Sequence, residues 1–451
     1  MYTALTHARA QLDRGATSSE QLTREALTRA ASGEGPRVFT RVFEAGALAE
    51  ARASDGLRAA GLRRSAIDGL PISVKDLFDV AGHATRSGSR VLDGAAPATR
   101  DAAIVARLRA AGAVLVGSTN MTEFAFSGVG INPHYGTPRN PWGRTPDGGG
   151  RIPGGSSSGA AVSVTDAMAL AAIGSDTGGS VRIPAALCGL TGFKPTARRV
   201  PTTGALPLST TLDSIGPIAP SVACCALLDA VLAGEEPHPT APLPLAGLRL
   251  LVPSNLVQDD LDADVARAWD AALARLSAAG VRLVHARLAP LDELARINAL
   301  GSFSAAEAWA WHRQLLATRQ GEYDPRVVSR MLRGQSMGAA DYVELLQRRS
   351  AWIAATRTAL APYDALVMPT VAIIAPDIAT LAGDDDAFFA ANGLLLRNPS
   401  LVNFLDGCAI SLPMHAPGEA PSGLSLAACG GEDRRLLALA AAVETALRAA
   451  A

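Results

Sequence analysis

A chain of 451 residues with a net charge of −1 and 48% hydrophobic residues can bury a large core and exceeds the usual size of one domain. Its balanced charge argues against nucleic acid or a membrane surface as partner, and no uncharged apolar run is long enough to cross a bilayer. The five cysteines, Cys188, Cys224, Cys225, Cys408 and Cys429, form an odd set without metal-ligand spacing, and the first seven residues lack a leader pattern. Buried reduced thiols and a cytoplasmic location are expected, with no metal and no cofactor.

Residues 1–65 read as helices. Ser18 and Gln21 have the spacing of a capping box, and a second helix is expected over 44–60. Strands and helices then alternate: a strand at 72–75, a helix over 101–111, a strand at 114–116, a helix over 160–167 and a strand over 170–175. The stretch 132–154 is rich in Pro and Gly and reads as surface loop. This alternation predicts an α/β fold with a mostly parallel, mixed central sheet covered by helices on both faces. Further on, strands are expected at 248–252, 281–288, 363–369, 409–413 and 423–427, with helices over 262–279, in 300–345 and over 433–449. No linker stands out. The expected organisation is one domain, comprising N-terminal helices (1–65), a core (69–220), an insertion-like helical part (225–360) and a return to the core (361–451).

Two glycine-flanked serine sites dominate the core: Gly154-Gly155-Ser156-Ser157-Ser158-Gly159 and Gly174-Ser175-Asp176-Thr177-Gly178-Gly179-Ser180, with Ser156 and Ser180 24 residues apart. Each sits where a helix can begin, and a helix start offers free N–H groups and a positive dipole end. A serine there is placed to attack a carbonyl and to hold the oxyanion, but it needs a base. No histidine neighbours either site. The chain has two lysines, Lys75 and Lys194, and arginine cannot give up its proton. Lys75 ends the apolar run Leu70-Pro71-Ile72-Ser73-Val74, so a Lys–Ser–Ser relay is the economical reading.

These motifs, with Gly69-Leu70-Pro71-Ile72-Ser73-Val74-Lys75-Asp76, Gly117-Ser118-Thr119-Asn120-Met121-Thr122-Glu123-Phe124, Arg139-Asn140-Pro141-Trp142 and Val181-Arg182-Ile183-Pro184, resemble the amidase signature family. The resemblance runs from about Gly69 to Pro220 and more loosely to the C-terminus. It implies that Lys75 is the base, Ser156 a bridging serine on a cis peptide after Gly155, and Ser180 the nucleophile of an acyl-enzyme. The substrate implied is a small linear amide, hydrolysed to an acid and ammonia or an amine; family habit adds a homodimer. The oxyanion is expected against the N–H groups of Thr177, Gly178, Gly179 and Ser180. Lys75 is expected to be buried, without a carboxylate partner, and neutral when active; Asp76 should face away, because adjacent strand residues point to opposite faces.

Other roles stay open at this level. Ser180 can serve as a helix cap and Ser156 as a loop serine. Asp176 and Arg182 either lock the loop or, for Arg182, hold a substrate carboxylate. Met121 and Ala125 are further supporting or substrate-facing positions in a pocket rim, 121–135, that includes His134. Asp213 reads as support, and Lys194 as a turn residue. The pocket is expected to draw on 300–345 and 375–405. Two rival functions remain, the glutaminase-bearing A subunit of a tRNA-dependent amidotransferase and a non-catalytic binding protein.

Overall fold

The computed structural model describes residues 5–237 and 240–448. The first four residues, part of the stretch read for a leader, and residue 449 of the expected closing helix lie outside the described residues.

Among the described residues, eleven strands form one sheet. They are β1 (Phe39–Val42), β2 (Pro71–Lys75), β3 (Val114–Thr119), β4 (Ala171–Asp176), β5 (Thr191–Lys194), β6 (Ser214–Ala219), β7 (Arg249–Pro253), β8 (Arg282–Ala286), β9 (Ala365–Pro369), β10 (Cys408–Pro413) and β11 (Gly423–Ala428). Their order is β1-β3-β2-β4-β6-β5-β10-β11-β9-β7-β8. This is the expected α/β architecture with a mixed sheet, but the sheet is not mostly parallel as expected, since six of its ten neighbouring pairs are antiparallel. Its parallel pairs are β2–β3, β2–β4, β7–β8 and β7–β9, and the remaining neighbours are antiparallel. The antiparallel centre arises because β5, β6, β10 and β11 are joined without helical crossovers or enter from distant chain segments.

The helices expected near the N-terminus are Ser19–Ala30, whose cap Ser18 accepts from the Gln21 N–H at 3.0 Å, and Glu44–Ala59. β2, β3 and β4 are buried along their whole lengths, which is why their sequences run apolar or small instead of alternating. One apolar cluster joins Ile72, Leu115, Ile173, Ile410 and Leu426 across the sheet. A second gathers Leu251, Phe303, Trp352, Leu401 and Phe404. In the described residues, no helix is long and apolar enough to cross a membrane.

Candidate active site

β2 and β4 are parallel neighbours, with Val74 opposite Ile173, so their C-terminal ends lie side by side. Ser73 and Lys75 share one face of β2. Ser73 Oγ lies 2.9 Å from Ser163 Oγ on helix Ser158–Thr165, so this face looks onto that helix and the loop before it. Lys75 Nζ accordingly donates to Ser156 Oγ at 2.7 Å and to Ser175 Oγ at 2.8 Å. The Gly155–Ser156 peptide is cis. Close packing depends on Gly174, where a Cβ would stand 2.7 Å from Ser157 Oγ.

Lys75 is fully buried and touches no carboxylate among the described residues. Burial depresses its pKa to about 7, against the opposing pull of the Asp176 and Asp213 charges. Asp76 turns to the opposite side, where it accepts from the Gly88 N–H at 3.1 Å. Burial pushes its pKa up to about 7.

Asp176 organises the loop after β4. It accepts from the N–H groups of Gly179 at 2.8 Å and Val181 at 3.2 Å, and from Arg182 and Asn403. Burial alone would raise its pKa, but the Arg182 guanidinium prevails and holds it at about 2. Arg182 donates through Nε and Nη2 to Asp176, Asn403 and the Pro399 carbonyl, and it is not among the residues that line the cavity at Ser180. Asp213 supports the same loop, accepting from Thr177 Oγ1 at 2.5 Å and from the N–H groups of Leu208 and Ser209. Burial pushes its pKa up to about 6.

Ser180 lines a cavity of about 450 Å³, together with Ala125, Thr177 and Gly178. Its hydroxyl has no hydrogen-bond partner among the described residues, and nothing yet links it to Ser156. Of the four amides expected to face an oxyanion, Gly179 differs: its N–H is taken by Asp176 Oδ1. The N–H groups of Thr177, Gly178 and Ser180 have no hydrogen-bond partner among the described residues. Met121 is buried away from the cavity, where its carbonyl accepts from Asn132 at 2.7 Å. His134 also lies outside, 2.8 Å from Glu123. The expected segments 300–345 and 375–405 do contribute, through Phe303, Arg330, Leu396, Leu401 and others, but so do Leu208, Leu212 and Leu256.

Three features were missed in the sequence. Ser175 contacts Lys75 through the register of β4 on β2, a relationship between strands. Arg330 lies in the helix Pro325–Leu332, whose sequence does not distinguish it from its neighbour Arg326. Lys194 is no turn lysine; it is buried at the end of β5, donating to the carbonyls of Pro195 at 2.8 Å and Gly407 at 2.6 Å.

The sequence profile of the family Amidase matches residues 21–437. The chain is 36% identical over 406 residues to 2-amino-5-chloromuconic acid deaminase of Comamonas testosteroni, covering 88% of this chain and 86% of that one. It is 34% identical over 417 residues to the A subunit of glutamyl-tRNA(Gln) amidotransferase of Roseiflexus castenholzii, covering 85% and 84%. A crystal structure of an amidase superposes with a TM-score of 0.87 at 32% identity, covering 98% of this chain and 99% of that one. The chain belongs to the amidase family, amidohydrolases that act on amide C–N bonds.

Proposed function

We propose that the protein hydrolyses a linear carboxylic amide through a Ser180 acyl-enzyme, with Ser156 and Lys75 relaying the proton. The observation that carries this reading is the buried Lys75 amine, free of carboxylates and 2.7 Å from Ser156 Oγ. Ordinary lysine titrates about three units above neutrality, and holding it neutral at pH 7 takes about 4–5 kcal/mol of differential stabilisation, which burial supplies.

In this mechanism Ser180 Oγ forms a bond to the amide carbon. Its proton passes to Ser156 Oγ as the Ser156 proton moves to Lys75 Nζ. The oxyanion is held by the free N–H groups of Thr177, Gly178 and Ser180. The C–N bond then breaks as the proton returns from Lys75 through Ser156 to the leaving nitrogen. Water adds to the acyl-enzyme by the same relay, releasing the acid and restoring Ser180. The relay needs a Ser180–Ser156 hydrogen bond that forms in the substrate complex, as catalytic hydrogen bonds commonly tighten only there.

Ammonia release from a panel of short amides, measured beside fluorophosphonate labelling of the wild type and of Ser180→Ala, tests this. Labelling and turnover that both vanish in Ser180→Ala are expected; labelling retained in the variant overturns the assignment. The match to the A subunit of an amidotransferase favours a second reading, a glutaminase delivering ammonia to a partner. Glutamine hydrolysis seen only when a further protein is added would select it.

A further inference from the structure

Arg330 is a charge in the cavity that no carboxylate among the described residues answers. It stands on helix Pro325–Leu332, which buries Val327, Val328 and Met331. The start of that helix is fixed: the Asp324 N–H donates to Glu123 Oε2 at 2.7 Å, and the Asp324 carboxylate caps the Arg326 N–H at 2.9 Å. Arg330 therefore projects from a positioned support into the cavity shared with Ser180. Its guanidinium lies over the Phe126 ring, with Cζ 4.7 Å from the centroid, which orients the planar donor fork.

Three other shielded arginines are paired with carboxylates, Arg139 with Glu34, Arg182 with Asp176 and Arg199 with Asp229. Arg330 makes no ion pair or hydrogen bond with any described residue, and its Nη1 is shielded from solvent without a partner. Burial, aided by the neighbouring Arg333 charge, pulls its pKa down to about 10, so it stays cationic at neutral pH. No aspartate or glutamate among the described residues lines the cavity. The other cavity arginine, Arg397, already donates to Asn398 Oδ1 at 3.0 Å and to the Val257 carbonyl. The cavity wall has an apolar part, which includes Leu212, Phe303, Leu401 and Phe404, beside the polar Ser127, Asn298, Ser302, Ser304 and Ser400.

We propose that Arg330 is the receptor for a substrate carboxylate, so that the amide opened at Ser180 is a monoamide of a dicarboxylic acid. The apolar part of the wall takes the methylene chain, and the guanidinium fork takes the free carboxylate in two parallel hydrogen bonds. This rests on the amidase mechanism above and adds the substrate class to it.

The test compares matched pairs, succinamate, glutaramate and adipamate against butanamide, pentanamide and hexanamide, on the wild type, Arg330→Met and Arg330→Lys. The wild type is expected to favour the carboxylated member in kcat/KM. Arg330→Met should lower kcat/KM for that member by about 10- to 100-fold, the size of a hydrogen bond to a charged group, chiefly through KM. The preference should then collapse, and Arg330→Lys should recover part of it. A wild type without preference, or a variant that loses both members of a pair equally, overturns the assignment; if Arg330→Met does not fold, the lysine variant decides by the same ratio. Fluorophosphonate labelling of Ser180 separates the two layers. Labelling without carboxylate preference refutes Arg330 alone, whereas absence of labelling and turnover refutes the mechanism on which it rests.

Discussion

Arg182 and Asp176 are joined by two hydrogen bonds of 3.0 Å, and solvent reaches neither side chain. The pair closes the loop that carries Ser180 and ties it to Asn403 and Pro399 on helix Asp385–Phe404. Arg182→Met removes one partner and leaves a buried carboxylate charge, a loss that typically costs about 3–5 kcal/mol. Urea denaturation at neutral pH should show it. The Asp176 contribution also has a pH signature. Its folded pKa, about 2, lies below the ordinary 3.8, so the stabilisation is complete above 3.8 and is lost as pH falls towards 2. The variant should lack that acid limb, and an unchanged limb would remove Asp176 as its source.

Lys75 gives a pH slope of the same sign in a higher range, but as a burden that is relieved and not as a stabilisation that is gained. Its folded pKa of about 7 lies below the ordinary 10.5, so the unfolded chain binds the extra proton between these values. Stability therefore rises with pH from 7 to 10.5, and the burden is fully present below 7. Lys75→Met should flatten that slope and gain roughly 3–5 kcal/mol relative to the wild type at pH 6. The same variant should lose at least about 10²–10⁴-fold in kcat, the usual share of a positioned base, while remaining folded. In the wild type, kcat/KM should rise with pH through about 7 as the amine gives up its proton. Turnover retained at neutral pH in the methionine variant would place the base elsewhere.

Much of this site was readable before any coordinates. Lys75, Ser156 and Ser180 stand in ordered motifs, and the apolar run before Lys75 announces a buried strand. What escaped depends on tertiary pairing. Ser214–Ala219 holds Gly216 and Pro217, which disfavour a central strand, yet the segment is buried as a strand between β4 and β5, with Ile173 opposite Pro217. Helix Asp385–Phe404 holds Pro399 and Gly393, both against helix propensity, yet its buried face supplies Asn392, Leu395 and Asn403 to the core and the loop. Arg330 is silent in sequence because its isolation is a property of what surrounds it.

Gly179 is held at φ 123°, a left-handed conformation that side chains resist. A Cβ there would stand 2.5 Å from Pro399 Cβ and 2.8 Å from Ile183 Cδ1. Gly179→Ala should therefore cost about 1–3 kcal/mol in backbone strain, with the clash added. It should also displace the adjacent Ser180, so kcat should drop even where the fold survives at low temperature. Thermal melting and single-turnover labelling of Ser180 measure the two effects separately; a stable, fully reactive variant would show that the loop tolerates another backbone path.

Ser175 offers the sharpest probe of the amine itself. Its Oγ accepts from Lys75 Nζ at 2.8 Å, beside the 2.7 Å bond to Ser156. An acceptor held against the amine stabilises the charged form more than the neutral one. Ser175→Ala should thus move the acid limb of kcat/KM to a pH below the wild-type value of about 7, making the base easier to deprotonate. It should also lower kcat about 10- to 100-fold, because the amine loses the contact that aims its lone pair at Ser156 and the relay gains disorder. The two effects point in different directions, one on pH and one on rate, so a full pH–rate profile resolves them. A limb that moves to higher pH would mean that Ser175 serves the neutral amine, and the direction of proton flow through Ser156 would need to be redrawn.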